Sequence, residues 1–380
     1  LVAGALSYMP AYYVSWGRYT QFAGLFILPA TCLLAGWLVT EEDRSPRLWI
    51  LAVILCAGLA LTHYRVLIFF ALFWVCRLVL LLIRQRGRRW AWWHAARTTL
   101  LLLALGVVAI MPWVVRFVWR VIPSIGAIYG GLTATPAYSN SFPTGLLQVG
   151  WTQRLLYMAA AGALWGLARK RGELALIPFW CGLCFLAANL HWIGLGDIWL
   201  IHNQSVVISF WLPVSILVGW LAADVAHWLL CGLEFVASEV PWQHVISRLL
   251  FTVVLVLAAW RSWYMVDVIN PVTVLVTPED RQAIDWLDEN LPRDAYLLVN
   301  SRKWQGELRV GTDAGYWIPL LARRRTTLPS VLYYQGNLAY REGVNDLARL
   351  VEEAESVDDP ALLERLAREG ITHLYVGSRG

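Results

Sequence analysis

Residues 21–40, QFAGLFILPATCLLAGWLVT, decide the fold class, because twenty consecutive positions pass without one charge. A helix crosses a bilayer with about 17–25 mostly apolar residues, so this stretch reads as a spanning helix. Working outward, further apolar runs follow at approximately 47–62, 65–83, 98–118, 153–168, 174–192, 205–223 and 246–266. The runs at 47–62 and 65–83 are separated by little more than His63-Tyr64-Arg65, which predicts a tight helical hairpin. The expectation is a polytopic α-helical membrane domain of about eight spanning helices.

Composition agrees. The chain is 58% hydrophobic and only 15% charged, too little charge to wet the surface of an ordinary soluble domain. The charge is also segregated. Residues 1–269 hold 18 Lys/Arg against 9 Asp/Glu, and 270–380 hold 13 against 17, giving +9 and −4. Two solvents are implied, and two domains: 1–269 in the membrane and 270–380 outside it. All six cysteines fall in the apolar part, so the tail has no disulfide framework. Cys181 and Cys184 form a C-x-x-C inside an apolar run with no His or acid beside them, which reads as core packing. The chain opens on Leu1 in apolar sequence without a basic leader region, and it reads as starting partway through a membrane domain.

Loop charge sets the expected orientation. Arg44 and Arg47, then Arg84 to Arg97, then Arg169-Lys170-Arg171 and Arg248 form the denser set and are placed in the cytoplasm. Arg18, Arg65, Arg116, Arg120, Arg154 and Arg261 fall on the opposite side. This parity predicts a multi-pass membrane protein with an extracytoplasmic tail, and the expected location is the cytoplasmic (inner) membrane. The run RQRGRRWAWWHAAR (84–97) mixes base and aromatic residues. At a membrane boundary it reads as positive-inside charge with interfacial tryptophan, not as a nucleic-acid site.

In the tail, Thr277-Pro278-Glu279-Asp280 is a helix start, with a hydroxyl cap, proline in the first position and acids in the first turn. AYLLVNS (295–301) and ITHLYVG (371–377) read as strands. Residues 344–356 and 360–369 carry apolar positions at helical spacing, with Gly370 as a C-cap. Alternating strands and helices predict a small α/β domain.

Chemistry is sought first among polar groups at helix ends that face one compartment. The outer end offers Arg18, His63, Arg65, Arg116 and His202. Each has a plain structural reading, such as snorkelling or turn capping. Together they suit an anionic lipid, because guanidinium grips phosphate oxygens in a bidentate manner. Carboxylates are scarce there. Asp197 is the outer-face acid before Asp267, so a general base would be Asp197, a tail residue or a residue upstream of Leu1, with the last favoured. No cofactor is named by the sequence, and no set of residues supports a divalent metal. Gly-rich phosphate loops, H-E-x-x-H and G-x-S-x-G are absent.

Three segments resemble the GT-C superfamily, polytopic glycosyltransferases that use polyprenyl-phosphate-linked sugars outside the cytoplasmic membrane. SWGRYTQFAGLFILPA (15–30) and HNQSVVISFWLPVSILVG (202–219) resemble their polar-mouthed, proline-containing helices. TPEDRQAIDWLDENLPRDAYLLVN (277–300) with GTDAGYWIPLLARRRTTLP (311–329) is similar to the start of the extracytoplasmic domain of oligosaccharyltransferase catalytic subunits. Asp313, Gly315, Tyr316 and Trp317 match the D-x-G-Y-W part of their W-W-D-Y-G signature region. Gly311-Thr312 stands where that signature has two tryptophans, and Ala314 where it has tyrosine.

The resemblance implies sugar transfer from a polyprenyl (di)phosphate donor to a protein or glycan acceptor of the cell envelope. Arg18, Arg65 and Arg116, assisted by His63 and His202, would hold the lipid phosphate. Asp313, Tyr316 and Trp317 would contact acceptor or dock the tail, while Asp313 reads equally as a turn-forming carboxylate before Gly315. The alternative expectation is a non-catalytic, membrane-anchored subunit that binds or assembles an envelope complex.

Overall fold

The computed structural model describes residues 2–40, 45–122, 140–196, 200–236, 242–266, 268–305, 307–356 and 358–380. The chain is mostly helical and divides into two compact units. The first comprises Leu1–Pro112 with Ser139–Asn270, and the second Trp113–Tyr138 with Pro271–Gly380.

In the first unit the long helices are α1 (Tyr19–Thr40), α2 (Pro46–Thr62), α3 (Tyr64–Arg84), α4 (Arg89–Ala109), α5 (Thr152–Ala168) and α6 (Leu176–Ala188). They are followed by a short α7 (Asn203–Val207), then α8 (Trp211–Val236) and α9 (Trp242–Tyr264). Among the described residues, five helical segments are long and apolar enough to cross a membrane: Tyr19–Thr40, Tyr64–Arg84, Arg89–Ala109, Asn203–Gly232 and His244–Tyr264. Pro46–Thr62 and Leu176–Ala188 are apolar but shorter. The sequence reading counts eight, because it measures apolar runs and not helices.

The differences have local causes. The run read as 98–118 begins at Arg89, where arginine and tryptophan extend the helix beyond the apolar stretch. It ends at Ala109, and a separate short helix occupies Met111–Arg116, because Pro112 has no N–H for the carbonyl four residues back. The run read as 174–192 is α-helical over Leu176–Ala188 and closes in a tighter turn at Leu190–Ile193. The run read as 205–223 begins earlier, at Asn203, and is interrupted between α7 and α8. There Ser209 N–H bonds Val206 O at 3.0 Å and Leu212 N–H bonds Ser209 O at 3.2 Å, a spacing of three residues. Pro213 is the reason: it cannot donate to Ser209 O and its ring crowds that carbonyl.

Two bundles fill the unit. α1 packs on α2, α3 and α4, and α6 packs on α3. The core here runs from Tyr13, Leu25 and Leu28 through Val66 and Phe69 to Trp180 and Trp211. α5 packs on α8 so closely that a Cβ on Gly162 would lie 2.6 Å from Leu217 O, which leaves glycine as the residue that fits. The outward faces are apolar as well: Leu100, Leu103 and Val108 on α4 and Leu249, Phe251 and Val256 on α9 are each at least 60% exposed.

In the second unit, β1 (Tyr296–Leu298) lies between β4 (Arg325–Thr326) and β5 (His373–Leu374), parallel to both. Leu297 pairs with Thr326 on one side and His373 on the other. β2 (Ser301–Gln305) and β3 (Leu308–Gly311) form an antiparallel pair. Helices α10 (Pro278–Asn290), α11 (Leu338–Glu353) and α12 (Pro360–Glu369) complete it. Ile284, Leu297, Ala314, Ile318 and Leu328 are the buried centre. α10, β1 and α12 lie where the sequence places them, and Gly370 adopts φ 72° as the C-cap of α12. α11 starts six residues before the expected 344, because the Asn337 side chain accepts Tyr340 N–H and caps it there.

Candidate functional site

The candidate site forms at the helix ends of the first unit. His63 ends α2 and caps α3: its Nδ1 accepts Arg65 N–H at 3.2 Å. His202 caps α7 in the same way, accepting Ser205 N–H at 3.1 Å, while His202 N–H donates to Ser205 Oγ at 3.2 Å. With Nδ1 occupied as an acceptor, the proton of each neutral ring sits on Nε2, so both histidines are Nε2–H donors. Burial first, then the charges of Arg65 and Arg18, push His63 down to about 4. The same causes in the same order bring His202 to about 4. Both imidazoles are therefore neutral at pH 7.

Arg18, in the exposed turn before α1, and Arg65, in the first turn of α3, both act on both histidines. Arg65 Nε donates to Leu200 O at 3.1 Å, which ties the α2–α3 hairpin to the segment leading into α7. The Arg65 guanidinium lies 5.2 Å from the centre of the Tyr64 ring, and Tyr64 stacks on His63 with centroids 5.0 Å apart. Neither Arg18 nor Arg65 has a carboxylate partner among the described residues. The acids of this unit that do pair sit elsewhere along the helices: Glu173 with Arg84 at 2.9 Å and Asp224 with Arg169 at 3.6 Å. Two arginines without a carboxylate partner among the described residues and two neutral imidazoles are groups that suit an oxyanion.

Two buried networks hold this arrangement. Tyr13 O–H donates to Gln21 Oε1, Gln21 Nε2 reaches Ser209 Oγ at 3.4 Å, and Ser209 Oγ donates to Ser205 O at 2.9 Å. The second joins three asparagines. Asn189 Nδ2 donates to Asn203 Oδ1 at 2.7 Å, Asn203 Nδ2 to Asn140 O at 2.8 Å, and Asn203 N–H to Asn140 Oδ1 at 2.8 Å. Asn140 Nδ2 closes onto Ala188 O at 2.6 Å. Gln21, Asn203 and Ser209 fall within the quoted segments 15–30 and 202–219, while Tyr13, Asn140 and Asn189 lie outside every quoted segment. The available signal was polarity inside apolar helices: Gln21, Asn189, Asn203 and Ser209 are all at most 7% exposed.

No model of a known protein family matches this chain, and no curated protein is significantly similar to it.

The remaining sequence-derived residues are placed differently. Arg116 lies on the short helix Met111–Arg116 and is assigned with the second unit. Asp197 lies outside the described residues. In the second unit Asp313 is fully buried. Its Oδ1 accepts Gly315 N–H at 2.8 Å, and its Oδ2 accepts Gly377 N–H at 2.8 Å and Asn300 Nδ2 at 3.2 Å. Both oxygens are thereby engaged in holding the turn and the end of β5, as the turn-forming reading requires. Tyr316 O–H accepts Val331 N–H at 2.9 Å, while Trp317 is 41% exposed. Among the described residues no group of three or more His, Cys, Asp or Glu is arranged to hold a metal ion.

Proposed function

We propose that this chain is an integral membrane protein of the GT-C glycosyltransferase type, which binds a polyprenyl (di)phosphate-linked sugar at the outer face of the cytoplasmic membrane. The single observation that carries the reading is the set Arg18, Arg65, His63 and His202 at the ends of apolar helices, two cations and two imidazoles whose Nδ1 atoms cap helices. The membrane setting is supported by the five long apolar helices and by outward faces of leucine, valine and phenylalanine, which water would not tolerate. Eight spans follow if Pro46–Thr62, Leu176–Ala188 and Thr152–Ala168 also cross, as the alternation of loop charge requires.

In this reading the guanidiniums of Arg18 and Arg65 take the phosphate oxygens, and the two imidazoles donate to them without adding charge. As the sugar–phosphate bond breaks, negative charge grows on the leaving phosphate, and fixed cations stabilise it there. Asp197 is the carboxylate of this chain best placed in sequence to deprotonate an envelope acceptor. A second reading, a membrane-anchored subunit that binds lipid-linked sugar or an envelope partner without turnover, is favoured because no carboxylate among the described residues pairs with Arg18 or Arg65.

Membranes containing the full chain and a polyprenyl-phosphate-linked hexose test both. Each charge-assisted contact to phosphate contributes about 1.5–3 kcal/mol, so Arg18→Ala and Arg65→Ala should each weaken donor binding by roughly tenfold or more. Unchanged binding in both variants would sink the proposal. Binding that falls while sugar transfer is undetectable even in the wild-type chain selects the second reading.

A further inference from the structure

We propose a second lipid site, at the start of α5, that holds one membrane phospholipid with an anionic headgroup. It rests on the membrane setting proposed above and is independent of sugar transfer.

Two guanidiniums share one indole here. Arg154 lies 5.3 Å from the Trp151 ring centre and Arg261, from the end of α9, lies 5.6 Å from it. Arg261 is also 6.0 Å from Trp260 and 5.5 Å from Tyr264. Trp151 meets Trp260 edge to face at 6.2 Å, and Trp260 meets Tyr264 at 5.7 Å, so the cations sit in an aromatic box. A ring face attracts a cation but accepts few of its five N–H donors. Arg261 Nε is buried without a hydrogen-bond partner, and no carboxylate among the described residues pairs with either arginine. Two like charges around one ring repel each other, and an anion between them relieves that repulsion. A phosphodiester matches the guanidinium fork.

An apolar recess adjoins the start of α5. One turn along, Thr152, Leu155 and Leu156 of α5 line this recess with Leu146, Phe210 and Trp211. Two polar atoms on that recess, Thr152 Oγ1 and Trp211 Nε1, are buried without a partner, and Trp211 is only 7% exposed. Orphan donors in an apolar groove suit the ester carbonyls of an acyl chain, which would otherwise enter hydrocarbon unpaired. The tryptophans and tyrosine of the box are the residues that settle at headgroup level. In the proposed site the phosphate lies at Arg154 and Arg261, and the ester and acyl portions lie against Thr152, Leu155 and Leu156 at the start of α5.

The test is native mass spectrometry of the full chain released from detergent with phosphatidylglycerol, phosphatidylcholine or inorganic phosphate added. The wild-type chain should retain one phosphatidylglycerol in preference to phosphatidylcholine, with inorganic phosphate failing to displace it. Arg154→Gln with Arg261→Gln should weaken that retention roughly tenfold to thirtyfold, at about 1 kcal/mol per basic residue near an anionic surface. Thr152→Val, isosteric and safe for folding, should weaken it severalfold. Equal retention of the two lipids by the wild-type chain, or displacement by free phosphate, overturns the site. So does retention unchanged in the double variant. A chain that stays in solution without detergent and retains no lipid removes the membrane setting as well, whereas a detergent-dependent chain without preference removes this site alone. Arg18→Ala and Arg65→Ala should leave the retained phosphatidylglycerol unchanged.

Discussion

At the scale of single residues, Asp280, like Asp313, shows how a carboxylate can be spent on structure. Asp280 is 3% exposed and accepts from Ser378 N–H at 2.9 Å, Ser378 Oγ at 2.8 Å, Thr277 N–H at 3.0 Å and Tyr375 O–H at 3.1 Å. Burial acts to raise its pKa, but the bonds from Thr277 and Ser378 outweigh it and bring the group down to about 2. A carboxylate with a depressed folded pKa adds stability above its unfolded value near 3.8, and that stability is lost as pH falls from about 4 towards 2. We expect thermal unfolding of the second unit in the full chain to weaken over that window. Asp280→Asn should cost about 1–3 kcal/mol at pH 6 and flatten the loss between pH 4 and 2. An equally steep acid loss in the variant would mean that other groups carry it. Gly311 makes the same point from sterics. A Cβ there would collide with the Cβ of Tyr316 and lie 2.7 Å from its Cγ. The large residues that the resembling signature carries at this point would not fit against Tyr316 in this chain.

At the scale of elements, the helix break between α7 and α8 does most to shape the candidate site. It places the His202 cap, the Ser205 and Ser209 hydroxyls and Asn203 together at one helix end. Pro213 stands in the segment 202–219, and the helix start at Thr277 and the C-cap at Gly370 were legible, because caps and prolines act on their own neighbours. What could not be read were pairings between distant segments. Asn140, Asn189 and Asn203 are far apart in sequence, and nothing local marks them as partners. Likewise Arg309 on β3 is 1% exposed, paired with Glu352 at 2.6 Å, although the short strand reads LRVG and would be expected to point arginine outward. Arg77, a lone charge inside the apolar α3, finds Glu173 at 3.9 Å beyond the reach of any local rule. The asparagine triad has a measurable consequence. Asn189→Leu removes two bonds to Asn203 and leaves buried amides unpaired, so it should lower the thermal stability of the chain in detergent by about 1–3 kcal/mol. Because the triad anchors the α7 start, donor affinity at Arg18 and Arg65 should fall with it. A stable Asn189→Leu chain with unaltered affinity would separate the triad from the site.

At the scale of the whole molecule, the split of charge between +9 before residue 270 and −4 after it is legible in the sequence, whereas contacts group Trp113–Tyr138 with Pro271–Gly380 in the second unit. Which compartment each faces depends on parity along the chain. Contacts group the helix ends into two sets. Arg65 with Leu200, Asn140 with Asn189 and Asn203, and Trp151 with Arg261 belong to one; Arg84 with Glu173 and Arg169 with Asp224 belong to the other. The second set adjoins the denser arginine loops, which positive-inside bias assigns to the cytoplasm. Single cysteines placed in a chain whose six native cysteines are replaced by serine or alanine test this parity. Trp192→Cys, near the first set and 64% exposed, and Ser356→Cys, exposed in the second unit, should both react with a membrane-impermeant maleimide in intact cells. Arg86→Cys, in the loop before α4, should react only after the membrane is opened. If Ser356→Cys behaves like Arg86→Cys while Trp192→Cys is labelled, the number of crossings after His202 is odd where parity demands two. The α/β unit would then face the cytoplasm, and its surface could no longer meet an acceptor on the side where Arg18, Arg65, His63 and His202 lie.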